Sequence, residues 1–175
     1  KHGFSGISTA EDFRNRVQIN DYEDLRPWFE KQERDRTYAI NAEHPVLYTL
    51  TSGTTGKPKL IPVLKSTLKN NRHIQNFYFN YLFRARKKVA DGKIFTIVSP
   101  AVEGFTENSK TPFGATTGHM YASAPAIAQM KYVIPPAIFE IPDYDQRFHL
   151  ILLLALRCSD ITYMTSANPT TFTRL

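Results

Sequence analysis

Nine consecutive residues carry the chemistry that this sequence most clearly offers, the binding of phosphate groups. They combine hydroxyl side chains, glycines and lysines, in the order Thr51, Ser52, Gly53, Thr54, Thr55, Gly56, Lys57, Pro58 and Lys59. Glycine lets a backbone turn with positive φ and approach a ligand closely, so that successive amide N–H groups converge on an anion. The hydroxyls can donate further hydrogen bonds, and each charge-assisted bond from a lysine contributes about 1.5–3 kcal/mol. The segment therefore predicts a phosphate-binding loop.

This loop differs from the one that most NTPases use. Their motif has four residues between its two glycines and a Ser or Thr directly after its lysine. Here only two residues separate Gly53 from Gly56, and Pro58 follows Lys57. The spacing therefore disfavours a generic NTPase.

The elements around the loop predict an α/β fold with a mostly parallel sheet and crossover helices. Hydrophobic periodicity and capping residues predict helices over 9–16, 22–33, 66–89 and 146–157, and strands over 46–50, 60–63, 93–99 and 161–165. In such sheets ligands bind beyond the carboxyl ends of the strands, and the loop follows the first strand directly. Residues 100–126 are rich in Gly, Ser, Thr and Pro, and we expect them to be irregular.

The sequence predicts three details of the helices. Ser8 and Glu11 have the spacing of a capping box, and Pro27 predicts an irregular or shifted start of the second helix. In the long helix an apolar stripe with a second apolar edge predicts burial over more than one face; its members are Ile74, Phe77, Tyr78, Phe79, Tyr81, Leu82, Phe83 and Ala85. A core role is favoured for Phe77, Tyr78, Phe79 and Tyr81, with an acyl-binding pocket as the alternative.

Composition narrows the class of protein. The 175 residues, of which 42% are hydrophobic, suit one ordinary domain, and no apolar run is long enough to cross a bilayer or to form a signal peptide. The lone Cys158 excludes an internal disulfide, so we expect a cytoplasmic protein. The net charge of +6 leaves open a nucleic-acid-binding module, but no recognised motif supports one. A cationic cluster instead surrounds the loop: Lys57, Lys59, Lys65, Lys69 and Arg72.

Three segments together resemble a known family. The loop resembles the signature loop of the adenylate-forming superfamily, which includes acyl-CoA synthetases and luciferases. Residues 13–27, FRNRVQINDYEDLRP, resemble a segment upstream of that loop in the Gretchen Hagen (auxin-responsive promoter) family of acyl acid–amido synthetases. Residues 166–171, SANPTT, resemble a later segment of microbial members. The matches span positions 13 to 171, nearly the whole chain.

The resemblance implies a two-step ligase that uses ATP and Mg²⁺. A carboxylic acid is activated as an acyl-adenylate, and the amine of an amino acid then attacks it to form an amide. Phosphate would be contacted by the loop residues Thr51, Ser52, Gly53, Thr54, Thr55 and Gly56. Lys57 and Lys59 would add positive charge that attracts the phosphate. A thioester-forming acyl-CoA ligase and a non-catalytic nucleotide-binding remnant remain alternatives.

The resemblance also sets an expectation about completeness. Residues 1–45 would form an N-terminal helical segment and residues 46–175 the α/β portion of the N-terminal adenylating domain. The residues for adenine, ribose and the catalytic lysine would lie further along, together with a C-terminal domain. We therefore expect a fragment that is inactive alone. No metal ligand set is assigned, although Glu103, Glu107 and Asp143 are acids that could accompany Mg²⁺; His119, in a glycine-rich stretch, is more simply a loop histidine than a substrate contact.

Overall fold

The computed structural model describes residues 4–51 and 59–175. The helices in chain order are α1 (Ala10–Arg16), α2 (Tyr22–Asp35), α3 (Lys65–Ala85), α4 (Thr116–Ala122), α5 (Ala126–Gln129), α6 (Pro136–Phe139) and α7 (Tyr144–Arg157). The strands are β1 (Leu47–Thr51), β2 (Lys59–Val63), β3 (Lys93–Ile97), β4 (Gly104–Phe105), β5 (Pro112–Phe113) and β6 (Ile161–Ser166). Short 3₁₀ turns cover Lys87–Ala90 and Pro169–Arg174.

The strands form two sheets, and the α/β class is as predicted. One sheet has the order β2-β1-β5-β4, in which β1 is parallel to β5 while the other two pairs are antiparallel. The other sheet pairs β3 with β6 in parallel. The four-stranded sheet is thus mixed, because β1 and β2 are joined by a connection too short for a parallel crossover, and so are β4 and β5. Pro62 lies on the edge strand β2, as expected of a proline in a sheet.

The main core lies between the parallel sheet and the helices that connect its two strands. Phe95 and Ile97 of β3 pack with Ile151 of α7 and with Ile134, which is fully buried. Tyr121 of α4 joins them, and its hydroxyl donates to the Ile134 carbonyl over 2.7 Å. Burial raises the pKa of Tyr121, so its hydroxyl stays a donor. This core fixes α4 and α7 against β3.

The first two helices begin at reciprocal caps. α1 is capped one residue later than predicted, by Thr9 with Asp12 in place of Ser8 with Glu11, because the Asp12 carboxylate accepts the N–H groups of both Ser8 and Thr9. α2 begins at Tyr22, as predicted, with Asp21 as its N-cap.

The expectation of an irregular start to α2 is wrong. The helix runs from Tyr22 through Pro27 without a break. Its capping box anchors the first turn, and Pro27 is exposed, so water can reach the backbone group that the missing N–H leaves unpaired.

The apolar stripe of α3 is exposed, contrary to the prediction that the helix is buried over more than one face. Phe77, Tyr81 and Ile74 are 75%, 70% and 65% exposed, and α3 has no buried residue. Only its second edge is covered, where Phe79 lies edge-on to Tyr163 of β6. The core role favoured for Phe77, Tyr78 and Tyr81 is therefore wrong for the part of the chain that the structure describes. Sequence periodicity identified a shared face but not what covers it.

Residues 100–126 are more ordered than expected. They contain the β4–β5 hairpin and all of α4, whereas the composition predicted irregular structure. The two strands have only two residues each, too few to give a periodic signal. No helix in the described ranges is long and apolar enough to cross a membrane.

Candidate functional site

The predicted phosphate loop connects the two strands of a hairpin. Thr51 at the end of β1 pairs with Lys59 at the start of β2. Residues 52–58, which include the predicted phosphate contacts Ser52, Gly53, Thr54, Thr55, Gly56 and Lys57, lie outside the described residues, and their roles stay a prediction. The hairpin nevertheless fixes where the segment leaves and rejoins the sheet.

Tyr22 of α2 holds the start of β2 in place. Its hydroxyl accepts from the Leu60 N–H at 2.8 Å and lies 3.2 Å from the Leu60 carbonyl, to which it donates. The Lys59 ammonium lies 5.3 Å from the centre of the same ring, and the Arg26 guanidinium lies 4.9 Å from it. Both distances are within the range of cation–π attraction. Tyr22 thereby positions the backbone next to Lys59, the last residue of the motif.

Sequence reasoning missed this role of Tyr22. The available signal was its place in the stretch 13–27, which resembles the family upstream of the loop. Contact with Leu60 spans 38 positions, so no local pattern could reveal it.

A short backbone segment links the loop-bearing sheet to the parallel sheet. The Gly114 N–H donates to the Tyr48 carbonyl of β1, and the Ala115 N–H donates to the Pro100 carbonyl just after β3, each over 2.9 Å. A Cβ on Gly114 would lie 2.3 Å from the Ala101 carbonyl oxygen, so only glycine fits this approach. The first half of β1 and the segment that follows β3 are therefore held together through Gly114 and Ala115.

The start of α4 extends this link. The hydroxyls of Thr116 and Thr49, two residues before the end of β1, are 2.9 Å apart and hydrogen-bonded. A Cβ on Gly118 would lie 2.1 Å from the Ser99 carbonyl oxygen, which requires glycine at this point of α4. The adjoining Thr117 faces a cavity at the end of the parallel sheet.

This cavity, here called the α7 cavity, has a volume of about 270 Å³. It lies at the carboxyl ends of β3 and β6, where ligands bind in parallel sheets. Its walls come from the end of β3, α4, the first half of α7 and the chain after β6; the residues are Ile97, Val98, Ser99, Pro100, Thr117, Tyr144, Arg147, Phe148, Ile151, Ser166, Ala167, Asn168, Thr170 and Thr171. It includes most of the segment 166–171 that resembles the family.

A second cavity, of about 290 Å³, lies at the opposite end of the parallel strands. Two lysines line it, but the Lys93 ammonium donates to the Met130 carbonyl and the Lys131 ammonium to the Ala90 carbonyl. Its cations are thus engaged in local contacts, and its position is remote from the ends at which parallel sheets bind ligands.

The remaining sequence candidates do not converge. His119 is partly buried in α4 and is not among the residues lining the α7 cavity. Within residues 4–51 and 59–175, no three side chains among His, Cys, Asp and Glu come together as a metal site, so Glu103, Glu107 and Asp143 do not form one. Lys65, Lys69 and Arg72 are exposed on α3, which follows β2 directly. These three residues place positive charge on the surface of α3, the helix that follows the β1–β2 hairpin.

Comparison with known proteins identifies the family. The model of the GH3 family N-terminal domain matches residues 1–175. The jasmonoyl–L-amino acid synthetase GH3.3 of Oryza sativa subsp. japonica is 27% identical over 174 residues. The jasmonoyl–L-amino acid synthetase JAR6 of Nicotiana attenuata is 25% identical over 174 residues. Each alignment covers 95% of this chain but only 37% and 30% of the two relatives.

Solved structures show the same fold. The GH3.15 acyl acid amido synthetase superposes with a TM-score of 0.68 over 87% of this chain and 26% of that one, at 21% identity. A structure described as AtGH3.15 acyl acid amido synthetase in complex with 2,4-DB gives a TM-score of 0.60 over 74% of this chain. The fold is thus that of the N-terminal part of an acyl acid amido synthetase.

The chain belongs to the GH3 family, the Gretchen Hagen family that its motifs resemble. It corresponds to that family's N-terminal domain, and it spans about a third of the length of the curated relatives named above.

Proposed function

We propose that this chain is the phosphate-binding portion of an ATP-dependent acyl acid–amido synthetase. The observation that carries the proposal is the position of the two described ends of the segment, Thr51 and Lys59, which pair with each other across β1 and β2. Tyr22 holds the β2 side of this pair through Leu60. On the β1 side, Thr49 connects the hairpin through α4 to the α7 cavity. A nucleotide held at the loop would thus lie beside a cavity suited to a small organic substrate.

The reaction follows from the chemistry of the family. A carboxylate oxygen of the acyl acid attacks the α-phosphorus of ATP, and pyrophosphate leaves with the electron pair of the broken P–O bond. The amine of an amino acid then attacks the acyl carbon, loses a proton and displaces AMP. In this chain the loop amides, the hydroxyls of Ser52, Thr54 and Thr55, and the Lys57 and Lys59 ammonium groups would hold the β- and γ-phosphates. Mg²⁺ would be bound mainly through those phosphates.

The exposed aromatic face of α3 supports an apolar acid as the first substrate. Tyr78 lies at its edge, and its hydroxyl is 3.2 Å from that of Tyr163 on β6. Phe77 and Tyr81 present rings that nothing in the described ranges covers. Large exposed apolar groups mark surfaces that bind a ligand or another part of a protein.

The proposal is tested by the acceptor that the full-length protein uses. With ATP and one acyl acid, we expect an amide when an amino acid is offered and no thioester when coenzyme A is offered. Formation of the thioester alone would reject the amide-forming function in favour of an acyl-CoA ligase. For the 175-residue chain by itself we expect no acid-dependent ATP–pyrophosphate exchange.

A further inference from the structure

Arg147 gives the α7 cavity a positive charge that no neighbouring acid neutralises. It is the only charged residue among those described as lining the cavity. It is partly buried, its guanidinium donates to the Ile141 carbonyl over 2.8 Å, and it lies 5.5 Å from the centre of the Tyr144 ring. Among the described residues it has no carboxylate partner within ion-pair distance. The guanidinium is thus held in place, and its other N–H groups can donate to a ligand.

Hydrogen-bond donors surround this charge. The side-chain carbonyl of Asn168 already accepts from the Thr170 N–H at 3.1 Å and from the Thr170 hydroxyl at 2.8 Å. Its amide NH₂ therefore remains available as a donor. The hydroxyls of Ser166 and Thr117 add two groups for which the described part of the chain offers no hydrogen bond. One positive charge with several donors and no acid suits a singly charged anion.

One part of the cavity wall is apolar. Ile97 and Ile151 are buried core residues, and Phe148 packs against them. A ligand here would carry an apolar body next to its charged group. A carboxylate fits better than a phosphate, because the planar guanidinium matches the two carboxylate oxygens and because a single positive charge balances a single negative one. The volume of about 270 Å³ limits the ligand to a small molecule.

We propose that the α7 cavity is a carboxylate-binding subsite in which Arg147 pairs with the carboxylate of a substrate. That the ligand is a substrate rests on the proposed function; that it is a carboxylate rests on the cavity itself. Two substrates of an acid–amido ligase carry this group, the acyl acid and the amino acid. The amino acid would keep its charge throughout the reaction, whereas the acyl acid would lose it on activation.

The test measures binding of two probes of equal length to the 175-residue chain in the absence of nucleotide. Hexanoate represents an acyl acid and norleucine, which adds an α-amine to the same chain of atoms, represents an amino acid. Hexanamide is the uncharged control ligand. The variants are Arg147→Gln, Arg147→Lys and, as a matched control, Arg157→Gln, which removes an exposed arginine from the last turn of the same helix.

We expect saturable binding of hexanoate or norleucine, weakened about tenfold or more by Arg147→Gln and unchanged by Arg157→Gln. Arg147→Lys keeps the positive charge but loses the planar guanidinium with its paired N–H groups, so it should weaken binding less than Arg147→Gln does. Binding of hexanoate alone assigns the subsite to the acyl acid, and binding of norleucine alone assigns it to the amino acid. If the two probes compete with each other, the subsite accepts both substrates.

The inference is overturned if neither probe saturates, if hexanamide binds as well as hexanoate, or if Arg147→Gln leaves the affinity unchanged. The hexanamide comparison uses the unaltered chain and so holds even where a variant fails to fold. Because no nucleotide is present, this result is independent of whether the loop binds ATP.

Discussion

The Tyr22 hydroxyl and the Leu60 backbone form a two-way hydrogen bond that ties α2 to the strand leaving the predicted phosphate loop. The N–H of Leu60 donates to the hydroxyl at 2.8 Å, and the hydroxyl faces the Leu60 carbonyl at 3.2 Å. Since Lys59 is the adjacent residue and also lies over the Tyr22 ring, this contact determines where the loop's last cation sits.

Tyr22→Phe should therefore lower the free energy of unfolding by about 1–2 kcal/mol, because the partly buried Leu60 N–H loses its partner. Denaturant unfolding of both chains measures the difference. Tyr38→Phe is the matched control, since the Tyr38 ring stacks on His44 and its hydroxyl has no described partner. A Tyr22→Phe variant as stable as the control would contradict the role given to this hydroxyl.

Glu33 should make stability depend on pH. Its carboxylate is buried and accepts from the Ser109 N–H at 2.8 Å and from the Asn108 side chain at 2.8 Å, holding the turn between β4 and β5. Burial acts to raise the pKa of Glu33, but the hydrogen bonds from Ser109 and Asn108 outweigh it and the net pKa is lowered. The stabilisation is therefore present above the ordinary glutamate pKa of about 4.3 and is lost as the pH falls through the lower folded value.

We expect Glu33→Gln to reduce the free energy of unfolding by about 1–3 kcal/mol near pH 7, with a gap to the unaltered chain that narrows below about pH 4. Unfolding curves across that range measure the gap. Glu30→Gln, which removes an exposed carboxylate from the same helix, should show no such change. A gap of equal size at pH 3 and pH 7 would exclude the charged form of Glu33 as its cause.

Gly118→Ala should separate α4 from the end of β3. The added Cβ would lie 2.1 Å from the Ser99 carbonyl oxygen and 2.6 Å from the Ala101 nitrogen, both backbone atoms that cannot rotate away. We expect a loss of about 1–3 kcal/mol in the free energy of unfolding, typical of overpacking. Ala122→Ser, at an exposed position of the same helix, is the control. Equal stability of the two variants would contradict the close approach.

The exposed stripe of α3 predicts a contrast between two aromatic residues. Tyr81→Ser should change the free energy of unfolding by less than about 0.5 kcal/mol, because its ring is 70% exposed. Phe95→Ala should cost about 3–5 kcal/mol, because Phe95 is 2% exposed in the core. A large loss for Tyr81→Ser in the 175-residue chain would mean that the stripe is covered after all.

Local signals in the sequence predicted the order and type of the main elements. Asp21 caps α2 at the predicted start of that helix, and the apolar segment around Phe95 forms β3. Each of these depends on residues within a few positions of one another, which is the range over which capping and periodicity act.

Three smaller errors were local: the residue that caps α1, the start of α2 and the order of residues 100–126. The larger errors concern contacts between distant segments. Periodicity placed Phe77 and Tyr81 on one face of α3 but could not show whether that face has a partner. The pattern found strands on both sides of the loop but not that they pair as a hairpin. The bond between Tyr22 and Leu60 and the approach of Gly118 to Ser99 join parts of the chain that no local rule connects.

The central claim is that the segment Thr51–Lys59 binds the terminal phosphates of ATP, and equilibrium binding of Mg·ATP tests it most directly. The decisive variant is Gly53→Asp/Thr54→Glu, and Thr67→Glu/Asn70→Asp, which places the same two charges at exposed positions of α3, is the control. We predict saturable binding that falls more than about tenfold in the loop variant and is retained in the control. Failure of the unaltered full-length protein to bind Mg·ATP, or equal binding by its loop variant, would contradict the account.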